Sequence, residues 1–195
     1  MKFNQRIDKL NEQLDASNLD GIYITNLTNV RYLTGFTGSA GSMLIINNEK
    51  HFFTDGRYIE QSKTQITNCK IHIVGGAHFK AIVDQKLIKN NCKIGFESDH
   101  MSVTFFDHLS RLINNVEWVK CNGIIEQIAA VKDKLEIQSL QTAIDITDEV
   151  FTQIIPELKI GAKEIDIAAK ISYLFKMNGA EGDSYDSIIG SGWLG

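Results

Sequence analysis

Apolar positions in the first two thirds of the chain follow two alternating rhythms. Phe3, Ile7, Leu10 and Leu14 recur at spacings of four, three and four, which puts them on one face of a helix. After the turn-forming pair Asp20-Gly21, the β-prone run Ile22-Tyr23-Ile24-Thr25 predicts a short strand. Residues 43–46 and 51–54 are two more apolar runs, and the polar Asn47-Asn48-Glu49-Lys50 between them predicts a hairpin with a four-residue loop. A strand over 69–74 is ended by Gly75-Gly76. The rhythm then alternates: Phe79, Ile82, Val83 and Leu87 suit a helix, and 93–96 a strand. Ser102 fits the N-cap of a helix that turns Phe105, Phe106, Leu109, Leu112 and Ile113 inward, and 116–119 is a last strand. A hairpin followed by alternating strands and helices predicts an α/β layer with a mixed sheet flanked by helices, over residues 1–130.

The pattern changes near Lys132-Asp133-Lys134. Leu140, Ile144, Thr147, Phe151, Ile154 and Leu158 recur at four, three, four, three and four, predicting one long amphipathic helix whose last turn is disturbed by Pro156. Gly161 breaks the chain. Ile165, Ala168, Ile171 or Ser172, and Phe175 predict a second helix, with Gly179 at its C′ position. Residues 184–189 read as a strand. A helix hairpin and one strand do not close a core, so 131–195 is expected to be the beginning of a larger, incomplete α+β domain.

Charge adds little to this picture. Fourteen Lys and Arg stand against thirteen Asp and Glu up to residue 130, and six against eleven after it. Neither part has the basic stripe of a nucleic-acid binder. No uncharged apolar run approaches the roughly 18 residues of a membrane-spanning helix. The start, Met1-Lys2-Phe3-Asn4-Gln5-Arg6, has no secretory h-region, and Cys69, Cys92 and Cys121 are odd in number and widely spaced. A reducing, cytoplasmic setting with no nucleic-acid or membrane partner is the expectation.

Isolated catalytic motifs are missing. The histidines at 51, 72, 78, 100 and 108 show no H-E-x-x-H and no zinc-site spacing, and each is read as a surface or half-buried side chain. Glu181, Asp183 and Asp186 read as a solvated turn before and within the last strand. Thr37-Gly38-Ser39-Ala40-Gly41 lacks the first glycine of a nucleophile elbow, and a strand follows it instead of a helix. Gly35, Gly38 and Gly41 are read as positions of tight turning and close backbone approach.

The segments taken in order resemble a known family. Leu19-Asp20-Gly21 is followed by Asn29-Val30-Arg31-Tyr32-Leu33-Thr34-Gly35-Phe36-Thr37-Gly38-Ser39, then by Thr54-Asp55-Gly56-Arg57-Tyr58 with Gln61. Gly95-Phe96-Glu97 and Asp99-His100 come later. This series resembles the N-terminal domain of the creatinase/prolidase/Xaa-Pro aminopeptidase family. Lys132-Asp133-Lys134-Leu135-Glu136-Ile137 is similar to its hinge. Ile160-Gly161-Ala162-Lys163-Glu164-Ile165, Asn178-Gly179-Ala180 and the run from Ser184 to Gly192 are similar to the opening of its pita-bread catalytic domain.

The resemblance implies a creatinase-like domain over 1–130 and the first part of a pita-bread metallopeptidase domain over 131–195. It implies a hydrolase that removes the residue before proline with two divalent ions, manganese as the usual pair, and that works as a homodimer on proline-containing peptides. A prolidase cutting Xaa-Pro dipeptides is one alternative. A stand-alone dimerisation or regulatory module paired with an intact relative is another. The family's ligands (two Asp, one His and two Glu) belong beyond the last matched segment, and Trp193-Leu194-Gly195 departs from the family's Asn-Ser-Ala-x-Pro-His continuation. No catalytic residue, metal ligand or bound cofactor is therefore expected in this chain, which reads as a truncated member, inactive alone. Arg31, Phe36, Thr37, Ser39, Asp55 and Arg57 are the candidates for a substrate rim or subunit interface, with Asp55 and Arg57 expected to form an ion pair. Tyr32 and Tyr58 are expected to pack with hydrogen-bonded hydroxyls.

Overall fold

The computed structural model describes residues 3–192. The chain divides into two compact units, residues 1–131 and 132–195.

The first unit is built on one six-stranded sheet. Its strands are β1 (Gly21–Ile24), β2 (Ser42–Ile46), β3 (Glu49–Thr54), β4 (Lys70–Ile73), β5 (Lys93–Glu97) and β6 (Glu117–Cys121). They lie in the order β4-β3-β2-β1-β5-β6, and only β2 runs against the others. Successive side chains of a strand point to opposite faces, so the sheet sorts its apolar residues into two cores. Ile22, Ile24, Met43, Ile45 and Phe52 meet helices α1 (Phe3–Ala16), α2 (Leu27–Thr34) and α6 (Ile124–Ala130) through Leu10, Leu33 and Ile125. Tyr23, Leu44, Ile46, Phe53 and Ile94 meet α4 (His78–Asp84) and α5 (Val103–Leu112) through Phe79, Ile82 and Leu109. The central strands are thus buried on both faces, which is why they read as unbroken apolar runs.

The hairpin forms with a tighter loop than its polar stretch suggests. Ile46 pairs with Glu49, leaving only Asn47 and Asn48 to turn, both at positive φ (47° and 64°). Asparagine tolerates that conformation, and the right-handed strand twist favours such a two-residue turn. Ser102 caps α5 as expected, its oxygen accepting from the Phe105 N–H at 3.2 Å. Three short helices escape the periodicity: α2, α3 (Ile59–Gln65) and α6 have only seven or eight residues, too few for an amphipathic repeat to stand out.

The second unit is a helix hairpin. α7 (Lys134–Ile154) starts at a capping box, Asp133 accepting from the Leu135 and Glu136 N–H groups while Glu136 accepts from Asp133. It gives way to a 3-10 turn, Ile155–Glu157, at Pro156. α8 (Glu164–Met177) ends with Gly179 at φ 93°. Val150, Ile154, Ile167 and Leu174 form the small core between the two helices. Two expectations are corrected here. Residues 184–189 form no strand, because ladder hydrogen bonds need a neighbouring strand and the described residues of this unit contain none. The expected stripe is also not one buried helix face: Ile154 is buried, Leu140, Ile144 and Phe151 on α7 are exposed, and Leu158, exposed too, lies beyond the helix after the 3-10 turn. Trp193-Leu194-Gly195 lies outside the described residues.

Candidate functional site

The ends of β1, β3, β4 and β5 and the start of β2 share one edge of the sheet, as the register Ile24↔Met43, Ser42↔Phe53 and Thr54↔Ile73 requires. In open α/β sheets, ligands bind at the carboxyl edge of the strands.

The 36–42 loop is tied down at several points. Thr37 gives its N–H to Gln65 at 3.0 Å and accepts from Gln61 and Gln65 at 3.0 and 2.9 Å. Ser39 meets the Tyr58 hydroxyl through its own hydroxyl at 2.6 Å and its N–H at 3.1 Å. Thr54 donates to the Ala40 carbonyl at 2.6 Å. A Cβ on Gly38 would run into the Phe36 ring and lie 2.8 Å from Tyr58, so the loop follows this path only with glycine there. Close backbone approach, the role read for these glycines, is what the structure shows.

Asp55 caps the 3-10 turn Gly56–Tyr58, accepting from the Arg57 N–H at 2.9 Å and from its guanidinium at 3.0 and 2.7 Å. The Arg57 guanidinium holds the Asp55 carboxyl down at about 2. Arg57 also lies over the Tyr58 ring, 5.2 Å from its centroid. Thr37, Ser39, Asp55, Arg57 and Tyr58 thus form one connected surface. Phe36 is corrected from rim to core. Its side chain is 1% exposed and packs edge-on against Phe52 and Tyr58, with centroids 4.7 and 5.5 Å away. Arg31 sits on the exposed side of α2, its carbonyl accepting from the Gly35 N–H that closes the helix.

Beside this surface lies a cleft of about 300 Å³, lined by Tyr23, Leu27, Ser39, Ser42, His78 and Phe105 among others. Buried Tyr23 donates to the Ser42 hydroxyl at 3.2 Å, and Ser42 meets His78 Nδ1 at 2.9 Å. Burial pushes the Tyr23 phenol up to about 12 and the His78 imidazole down, the latter opposed by the Asp55 charge. Under the β1 end, buried Glu97 accepts from the N–H groups of Thr25 and Asn26 at 2.6 and 2.8 Å and from Asn29 at 2.7 Å; Asn29 also donates to Glu126 at 2.6 Å. These groups carried no role in the sequence because their partners are 19 to 97 residues away. The only local signal was Asn26, which caps α2 by accepting from the Thr28 N–H.

The histidines need one correction. His51 is not at the surface: it is 2% exposed, with Nδ1 3.0 Å from Nε2 of His72 and Nε2 3.2 Å from Glu49. Neither Cys69 nor Cys121 is activated as a nucleophile, since burial pushes the Cys69 thiol up to about 11 and raises that of Cys121. Among the described residues, no three His, Cys, Asp or Glu side chains come together so as to hold a metal ion. Asp183 is engaged by the Ser172 hydroxyl. The donor set of the described residues does not fit a two-ion centre. Among the described residues, no helix is long and apolar enough to cross a membrane.

Residues 6–131 match the Creatinase/Prolidase N-terminal domain, and residues 138–194 match metallopeptidase family M24. The chain is similar to the uncharacterized peptidase YqhT of Bacillus subtilis, 34% identical over 96% of this chain and 53% of that protein. To the Xaa-Pro dipeptidase of Pyrococcus horikoshii it is 28% identical, over 97% and 53% of the two chains. Among solved structures, the Xaa-Pro dipeptidase of Bacillus anthracis superimposes with a TM-score of 0.87 at 28% identity, covering 95% of this chain and 52% of that one. An N-terminal domain of the peptidase PepQ from Mycobacterium tuberculosis matches with a TM-score of 0.58 at 33% identity, over 64% of this chain and 98% of that one. The chain spans about half the length of the curated relatives it matches. By its sheet, by the order of its two domain matches and by these likenesses, the chain belongs to the creatinase/prolidase family, with the family's N-terminal domain followed by a segment of the M24 metallopeptidase domain.

Proposed function

We propose that these residues serve a metal-dependent Xaa-Pro peptidase, as its N-terminal domain and the opening of its catalytic domain. The observation that carries this reading is the tandem match, with the creatinase/prolidase domain over 6–131 leading into the M24 segment over 138–194. In this reading the two divalent ions, manganese as the usual pair, are held by residues outside these 195, and the 195-residue chain alone does not turn over substrate. The first domain pairs with a second subunit and presents Thr37, Ser39, Asp55 and Arg57, with Arg31 nearby in sequence, at the rim of that subunit's site. Clamped loops suit this task, since a rim residue orients a peptide only if its own position is fixed.

An antibody against residues 1–130, used on extracts of the source cells, tests the reading. A product clearly heavier than 21.9 kDa, whose precipitate releases the first residue from Ala-Pro-Ala in the presence of manganese, is expected. Cleavage of Ala-Pro and not of the tripeptide would assign a dipeptidase instead. A product at 21.9 kDa with no activity in the precipitate would overturn the peptidase reading and leave a binding module.

A further inference from the structure

The cleft beside the clamped loop holds a chain of three hydroxyl and imidazole groups that the peptidase reading does not use. Its polarity follows from what each group can give. Tyr23 is 1% exposed and keeps its phenol proton, so it donates to Ser42 at 3.2 Å. Ser42 is 2% exposed, and its hydroxyl hydrogen then has one acceptor in reach, Nδ1 of His78 at 2.9 Å. A buried hydroxyl without an acceptor is costly, so Nδ1 must be the bare nitrogen. The imidazole is therefore neutral with its proton on Nε2. Among the described residues that N–H has no protein acceptor, and the ring forms part of the cleft wall.

The other walls fit a small organic ligand better than an inorganic ion. Leu27, Phe105 and the Tyr23 ring are apolar, and Ser39 adds a hydroxyl. A volume of about 300 Å³ is at the lower end of small-molecule sites. A neutral donor on an apolar wall suits an acceptor oxygen, because it charges nothing that the cleft would have to desolvate. We propose that this cleft is a binding site for a small peptide-like molecule, with the His78 Nε2–H donating to a carbonyl or carboxylate oxygen and the Tyr23–Ser42 relay fixing the donor. The inference goes beyond the peptidase reading and does not need it, since every residue named lies within the first unit.

The full 195-residue chain tests this by NMR near neutral pH. Long-range ¹⁵N spectra are expected to show His78 neutral and protonated at Nε2; a proton on Nδ1 would overturn the relay. N-acetylglycine and N-acetylglycine N-methylamide, titrated to about 50 mM so that millimolar affinities register, serve as the carboxylate and amide probes. Saturable shifts at His78, Ser42 and Phe105 with either probe support the site, and the probe that binds tells which oxygen it prefers. No saturable shift with either probe overturns the site. His78→Phe keeps an aromatic ring and removes the Nε2 donor together with the Nδ1 acceptor of Ser42, and is expected to weaken binding about 3- to 10-fold, the range of one hydrogen bond. Unchanged affinity in a folded His78→Phe protein would overturn the role of the donor. Ser42→Ala leaves His78 in place and should mix its two tautomers; should either variant fail to fold, the wild-type tautomer and titrations still decide.

Discussion

At the scale of single residues, the positions that hold the carboxyl edge together are polar and buried. Glu97 is the strongest case. One carboxylate, 4% exposed, accepts four hydrogen bonds, from the N–H and hydroxyl of Thr25, the N–H of Asn26 and the side chain of Asn29. It thereby ties the end of β5 to the start of α2 and satisfies backbone donors that a helix start leaves open. Replacing it by alanine removes the acceptor and leaves these donors without it, the Asn29 amide in the interior. Glu97→Ala is expected to cost about 3 kcal/mol of the first unit's stability, within the range for breaking a buried charged network. Urea unfolding followed by near-ultraviolet circular dichroism measures this, and a loss below about 1 kcal/mol would mean that water substitutes for the carboxylate. Glu97→Gln should recover little, because the amide turns an N–H₂ towards donors.

Elements were legible where the repeat was long and the partner near. The hairpin of β2 and β3, α1 and the hairpin of α7 and α8 could all be read from spacing, because an apolar face needs several turns or a strand pair to announce itself. α2, α3 and α6 could not, although Asn26 before α2 and Gly35 after it are cap residues that mark both ends. The candidate surface was partly legible. Asp55 with Arg57 lies two residues apart, whereas Ser42 with His78 and His51 with His72 depend on which strands become neighbours.

The β3–β4 pairing shows what such contacts do for an element. His51 and His72 share one hydrogen bond on adjacent parallel strands, with Glu49 at the far nitrogen of His51 and Lys70 bonded to that same carboxylate. Burial lowers both imidazole pKa values, assisted for His72 by the neighbouring His51 and Lys70 charges. The unfolded chain therefore binds protons first. Stability should hold above about pH 6.5, the ordinary imidazole range, and decline as pH falls from there towards the depressed folded values. Thermal melts at stepped pH check the sign. His72→Gln is expected to cost about 1 kcal/mol at neutral pH and to flatten the acid decline; an unchanged decline would move its cause to His51 or His78.

On the scale of the whole molecule, the two units differ in how much apolar surface they cover. The first closes two cores around its sheet, while among the described residues of the second the buried apolar core is Val150, Ile154, Ile167 and Leu174. Leu140, Ile144, Phe151 and Leu158 remain 51%, 52%, 63% and 58% exposed, although their spacing is that of a buried helix face. Exposed apolar side chains spaced along one helix favour association. Two variants separate its parts. Ile144→Lys with Phe151→Glu alters exposed positions, and is expected to leave unfolding within about 0.5 kcal/mol while lowering self-association in light scattering. Ile154→Ala empties the small core and should cost that unit about 2–4 kcal/mol. Limited trypsin digestion then reads the difference between units: sites after residue 131 are expected to be cut well before those in 1–131, and faster still in Ile154→Ala. Equal protection of both units in a monomer would show that the stripe on α7 is covered within this chain, and the peptidase reading would then lose the physical reason for a missing half.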